Sequence, residues 1–149
     1  MSVESRDLEL AKKTLVEHGV TLAVARDGKV VFESVLRGVS GFLDAVEISD
    51  DGLRGASVAD RVVGKAVALL CVFAGVKSIY AVTLGLTARR VFDDNGVYCE
   101  CEGLVESILN AERTGVCVFE RAVADVSDGE VAFVRLGRLR DELVKGVMQ

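Results

Sequence analysis

Two groups of residues have side chains and spacings suited to chemistry. Cys117 stands at the head of Cys117-Val118-Phe119-Glu120, ahead of a run rich in apolar residues. A helix starting there would direct backbone amides and the positive end of its dipole at the thiol and so favour thiolate. Glu120, one turn on, projects from the same face and is suited to acid or base work, and a first-turn glutamate is equally ordinary helix-terminus electrostatics. The second group is Asp60, Arg61, Gly64 and Lys65, within the run Gly55-Ala56-Ser57-Val58-Ala59-Asp60-Arg61-Val62-Val63-Gly64-Lys65-Ala66. A charge entering a buried segment needs a counter-charge, a hydrogen-bonding network or a ligand, because an unpaired buried ammonium is strongly destabilising.

Arg61 and Lys65 stand at i and i+4, an unfavourable like-charge spacing on a helix unless an anion or carboxylate lies between them. Gly64 leaves room for close approach, and with free amides after Ser57 the segment describes a phosphate or carboxylate site at a helix start. An internal ion pair of Lys65 with Asp60 or Glu120 accounts for the same residues without a ligand. The Gly64-Lys65 pair is not a Walker motif: Ala59 stands where the first glycine belongs, and Ala66 replaces the Ser or Thr that would hold magnesium.

Metal chemistry is a weaker fit. Cys71, Cys99, Cys101 and Cys117 would suffice in number for zinc. Yet Val97-Tyr98-Cys99-Glu100-Cys101-Glu102 alternates strictly, which puts Val97, Cys99 and Cys101 on one inner face, and Cys71 lies in an all-apolar stretch; buried thiols of this kind are core. No metal site and no cofactor is therefore expected. The single histidine, His18, ends the first helix, where it suits the helix dipole. No histidine lies near Cys117 in sequence, which excludes a papain-like dyad and leaves Glu120, Asp60 or Lys65 as the base.

The elements that must position these residues alternate. Residues 6–18 place Leu8, Ala11 and Leu15 on one helical face, with Gly19 as the stop. Two β-rich runs, 20–25 and 29–33, flank Arg26-Asp27-Gly28, a strong hairpin signal. A short amphipathic segment (40–48) and a polar loop (49–56), expected to be the most mobile stretch, lead to a central helix over 57–73 that Ser57 would cap. A strand over 76–83, apolar on both faces, belongs at the centre of a covered sheet. A helix over 87–95, the alternating strand 97–102, and helices over 104–110, 117–126 and from 127 onward complete the chain, the last opened by the capping box Ser127-Asp128-Gly129-Glu130.

Composition bounds the class. The chain has 149 residues, half of them hydrophobic but only 5% aromatic, and a net charge of −5. One domain spanning 1–149 is expected, with a core of Val, Leu and Ala. The negative balance and scarcity of rings argue against nucleic acid. The charged first residues lack a signal-peptide core and the longest apolar run (66–75) is too short for a membrane span, so a soluble cytoplasmic protein with free thiols and no membrane partner is expected.

The order of elements predicts an α/β fold, a three-layer α/β/α sandwich on a four-stranded mixed sheet that starts with a β-hairpin. At this level the runs 21–31, 55–70 and Asn110-Ala111-Glu112-Arg113 leading into 117–120 resemble the small prokaryotic domain-of-unknown-function family 1893, over most of the chain. The most specific pieces are 56–66 and the 117–120 turn, where the family pattern is Cys-Pro-x-Glu and this chain has Val118 in place of proline, losing the rigid first turn. The resemblance implies a cytidine-deaminase-like fold but no reaction. A zinc deaminase needs His-x-Glu and Pro-Cys-x-x-Cys, and neither is present.

The reading is an uncharacterised deaminase-like protein without the zinc motifs, with a pocket around Lys65 and Cys117 for an anionic small molecule or for thiol-dependent chemistry. Cys117, Glu120, Asp60 and Lys65 are the catalytic candidates; Ser57, Arg61, Gly64, Lys65 and Arg113 are the ligand-binding ones. The alternative is a non-catalytic binding or oligomerising module, a homo-oligomer included, that keeps these residues as a buried polar network.

Overall fold

The structure, a computed structural model, describes residues 3–49, 51 and 53–148. The chain runs α1 (Val3–Glu17), β1 (Leu22–Arg26), β2 (Lys29–Ser34), α2 (Ser40–Ile48), β3 (Ser57–Val63), α3 (Lys65–Ala74), β4 (Ser78–Gly85), α4 (Leu86–Asp94), β5 (Tyr98–Val105), α5 (Val118–Ala122) and α6 (Gly129–Met148). Asp27 and Gly28 take φ of 54° and 78°, the left-handed pair that a two-residue hairpin turn requires, and close β1 on β2. Buried Asp7 on α1 holds this turn: its carboxylate accepts the amides of Asp27 (3.1 Å) and Gly28 (2.8 Å).

The sheet order is β2-β1-β3-β4-β5. The hairpin joins β3 antiparallel, while β3, β4 and β5 run parallel with α3 and α4 as the crossovers. The sheet thus has five strands, not four. The added one is β3, expected as the first half of a central helix, and it sits between the hairpin and β4. Val58, Val62 and Val63 are β-branched and favour extended backbone, and a strand buried on both faces reads as the same unbroken apolar run as a buried helix.

Two more expectations change. β5 extends to Val105, and residues 106–117 form an irregular arm, closed by a bridge between Leu109 and Val116, in place of a helix over 104–110. Asn110 bonds the backbone amide and hydroxyl of Thr114 (3.0 and 3.2 Å), which ties a turn that competes with helix. At the head of α6 it is Asp128, not Ser127, that caps, its carboxylate accepting the Val131 amide at 3.0 Å. Of the 49–56 loop, Asp50 and Gly52 lie outside the described residues, and Leu53 and Ala56 are buried.

Alternation along the strands makes two cores. Ala23, Ala25, Ala59 and Tyr80 meet Leu8, Ala11 and Leu15 of α1 on one face; Leu22, Val24, Val58, Ile79 and Ala81 meet α2, α3 and α4 on the other. Helix α6 packs over α3: a Cβ on Gly129 would stand 2.9 Å from that of Phe73, and Phe73 stacks on Phe133 at 5.0 Å. Helix α3 is therefore enclosed, as its apolar sequence demands. Among the described residues no helix is long and apolar enough to cross a membrane.

Because Asp7 answers two turn amides at once, Asp7→Ala is expected to lower stability by about 1–3 kcal/mol, the cost of leaving partly buried donors unmade. A urea midpoint unchanged from wild type would refute that role.

Candidate functional site

The site forms where the second core gives way to solvent at the end of β3. Asp60 is 7% exposed and Val62, two residues on along the same face, is 48% exposed. Asp60 lies between Leu22 of β1 and Ala81 of β4, its carboxylate accepting the Arg61 amide at 2.7 Å. Burial pushes this carboxyl up to about 7, against the opposing pull of the Arg61 and Val62 amides and the Arg61 guanidinium. A carboxyl balanced near neutrality in a hollow is the kind of group that binding and proton-transfer sites use.

The chain then turns at Gly64 into α3, and the open amides of that helix meet Glu120 from α5. The Lys65 and Ala66 amides each donate to one carboxylate oxygen at 2.8 Å. A Cβ on Gly64 would fall 2.1 Å from Glu120 Oε1, so it is the closeness of the carboxylate, not the backbone angle (φ −110°), that demands glycine. The open amides of a helix start lie at Lys65 and Ala66, eight residues beyond the expected start at Ser57, and the chain's own glutamate takes them.

Beside this contact opens a cavity of about 390 Å³. Its apolar wall includes Leu36 and Val39 ahead of α2, Val67 of α3, Ile108 of the arm and Phe119 of α5; Asp60, Arg61, Gly64, Cys117, Glu120 and Asn110 also line it. Five of the residues singled out from sequence thus share one hollow.

The other three lie elsewhere. Lys65 faces a neighbouring hollow, its ammonium donating to the Ala124 carbonyl at 3.0 Å. Ser57 caps no helix: it starts β3, fully buried, its hydroxyl 2.6 Å from that of Ser78. Arg113 is exposed on the arm at φ 61° and lines an outer hollow. Nor do Arg61 and Lys65 share a helical face. Arg61 belongs to β3, and its guanidinium donates to the Val20 and Leu15 carbonyls (3.0 and 3.1 Å), the latter in the last turn of α1. Cys117 precedes a helix of only five residues, and its own amide donates to the Ile108 carbonyl at 2.9 Å, so the field expected of a long helix is much reduced.

The other thiols are packing groups. Cys71 is fully buried; Cys99 and Cys101 are half-buried against the main core, and burial pushes Cys99 up to about 11. His18 pairs with Glu33 on β2. The residues present do not fit a deaminase zinc: among those described, no three His, Cys, Asp or Glu side chains are grouped to hold a metal ion, and both oxygens of the cavity's Glu120 are already bonded.

The sequence reading missed Leu36, Val39, Ile108 and Phe119, because apolar residues from three separated segments carry no local signal of a shared wall. It also missed the strand before Gly64, which the β-branched run followed by glycine does mark.

A family model described as Domain of unknown function (DUF1893) matches residues 10–139, and the chain belongs to that family. A crystal structure of a DUF1893 family protein from Thermotoga maritima superposes with a TM-score of 0.81 at 24% identity, over 97% of this chain and 92% of that one, and so has the same fold. Two deaminases overlap more loosely. One is the apo dCMP deaminase from cyanophage S-TIM5 (TM-score 0.48, 15% identity, 68% of this chain and 99% of that one). The other is a diaminohydroxyphosphoribosylaminopyrimidine deaminase/5-amino-6-(5-phosphoribosylamino)uracil reductase from Thermotoga maritima (TM-score 0.44, 20% identity, 67% and 35%). No curated protein matches the chain in sequence.

Two outcomes test the site's energetics. Gly64→Ala is expected to expel the Glu120 carboxylate and cost about 1–3 kcal/mol, but much less when Glu120 is already alanine, since the clash has then gone; additive costs in a double-mutant cycle would refute the contact. For Asp60, the folded carboxyl stands at about 7 against an ordinary 3.8. The folded state therefore holds the extra proton, and the associated stability is full below about pH 4, is lost as pH rises to about 7, and is absent above. Asp60→Asn is expected to flatten that fall, worth up to about 4 kcal/mol, in urea midpoints taken from pH 4 to 8.

Proposed function

We propose that this protein binds a small molecule in the cavity between Asp60 and Cys117. The observation that carries the reading is the cavity itself: a hollow of about 390 Å³, mostly apolar in its wall, at the end of β3 beside the arm that follows β5, with a buried carboxyl in that wall. Its size and lining suit a ligand site, and open α/β sheets place ligands at strand ends. An anionic ligand, expected from the residues around Lys65, has less support, because Glu120 takes the α3 amides and Lys65 turns to Ala124. Thiol-dependent chemistry at Cys117 also has less support than binding, since neither Lys65 nor a long helix acts on that sulfur.

A second reading, docking of another protein chain, is favoured by one observation: exposed Leu36, Val62 and Leu109 line the same cavity. Native mass spectrometry of freshly purified protein separates the two. Ligand binding predicts a small adduct on the monomer that disappears on denaturation and is lost in Ala111→Trp, which narrows the cavity at an exposed position on its wall. A clean monomer mass, or an adduct that Ala111→Trp leaves in place, would defeat this reading. A dimer without adduct would favour docking.

A further inference from the structure

We propose that the cavity selects a small organic cation, an amine or amidine whose protonated head pairs with the Asp60 carboxylate while its apolar body lies against Val67, Ile108 and Phe119. The inference rests on the reading of this cavity as a small-molecule site and names the class of ligand it takes.

Three observations on the cavity wall point the same way. Asp60 is 7% exposed, and among the described residues it makes no ion pair at salt-bridge distance. The two cations nearest in sequence are directed elsewhere: Arg61 to the Val20 and Leu15 carbonyls, Lys65 to that of Ala124. The second acid of the wall, Glu120, keeps both oxygens on the α3 amides, so an entering anion would find those donors occupied and two carboxyl groups facing it. A cation meets one acid already satisfied and one whose nearest cation, Arg61, is turned to carbonyls.

The charged and titratable groups facing Asp60 are few. Arg61 on its own strand and Cys71 on α3 act on it, while Cys117 and Glu120 at the α5 side and exposed Arg37 before α2 share its cavity. Of these only Arg61 opposes the burial that raises the carboxyl, and it does so incompletely. An entering ammonium or amidinium supplies the missing charge, and a pair formed away from water gains more than the same pair at the surface. The cation must first find Asp60 ionised, so its binding is coupled to loss of one proton from the protein below about pH 7.

Three single-ring probes of similar shape test the class: benzamidine as cation, benzyl alcohol as neutral and benzoate as anion. Each is titrated against the full-length protein, with melting temperature and the rate at which iodoacetamide labels Cys117 as readouts. Benzamidine is expected to raise the melting temperature and protect Cys117, to weaken about tenfold per pH unit below about pH 7, and to lose at least about tenfold in affinity in Asp60→Asn. The wild-type pH profile carries the test by itself if that variant folds poorly: an affinity already level by about pH 5, where ordinary carboxylates are ionised, would overturn the proposal. Equal binding of benzyl alcohol or benzoate would overturn the cation class and leave the small-molecule reading standing. If none of the three protects Cys117, both fall together.

Discussion

The contact on which the rest of the site depends is the Glu120 carboxylate set across the open end of α3. That helix is the most enclosed of the fold, with the sheet beneath it and α6 above it, and its first amides have no partner within the helix. Two short bonds to one carboxylate satisfy the Lys65 and Ala66 amides and place a full negative charge at the positive end of the helix dipole. Because Glu120 belongs to α5, the same bonds fix where that short helix sits. The position of α5 in turn brings Cys117 and Phe119 to the cavity that Asp60 closes from the sheet side.

This arrangement divides the charges into two kinds. Arg61, Lys65 and Glu120 each answer a helix end: the carbonyls of α1, the last carbonyls beyond α5 and the amides of α3. They account for themselves as structure. Asp60 does not fit that pattern, since neighbouring backbone amides and the Arg61 guanidinium, itself turned to carbonyls, offset only part of the burial that works against its charge. Replacing it with an apolar side chain would remove a buried ionisable group and fill space, and large costs of this kind belong to the few positions where function outweighs stability. The contrast between the three answered charges and the incompletely answered one is the physical basis on which the proposal centres on Asp60.

Much of the fold was legible because local chemistry and packing agree. The Asp27-Gly28 turn, the α1 stripe of Leu8, Ala11 and Leu15, and the α4–β5 unit all carry signals whose period matches the faces they bury. Residues 57–63 were misread because a strand covered on both faces loses its alternation, and the apolar stretch that continues into α3 supplied a helical reading for both. Correcting that one element moves the helix start from Ser57 to Lys65, which in turn removes the shared face of Arg61 and Lys65. The site was half legible. The sequence named Asp60, Gly64, Cys117 and Glu120, but the pairing of Gly64 with Glu120 spans 56 residues and depends on tertiary geometry that no spacing rule encodes.

Gly64 carries a final consequence for how this cavity can vary. Its neighbour Glu120 fills the space that any side chain at position 64 would take, so residue size there and an acid at 120 are one constraint, not two. Part of the wall comes from outside the helices and strands: Ile108 and Asn110 belong to the irregular arm and Leu36 to the exposed segment after β2, where the Ser34 and Thr21 hydroxyls bond its backbone. Elements of that kind tolerate substitution better than packed helices do. The fold thus separates a fixed part, the Glu120 cap with Asp60 beside it, from an adjustable wall. On the proposed reading, a protein so built retains the Asp60 charge while its arm varies with the shape of the molecule bound.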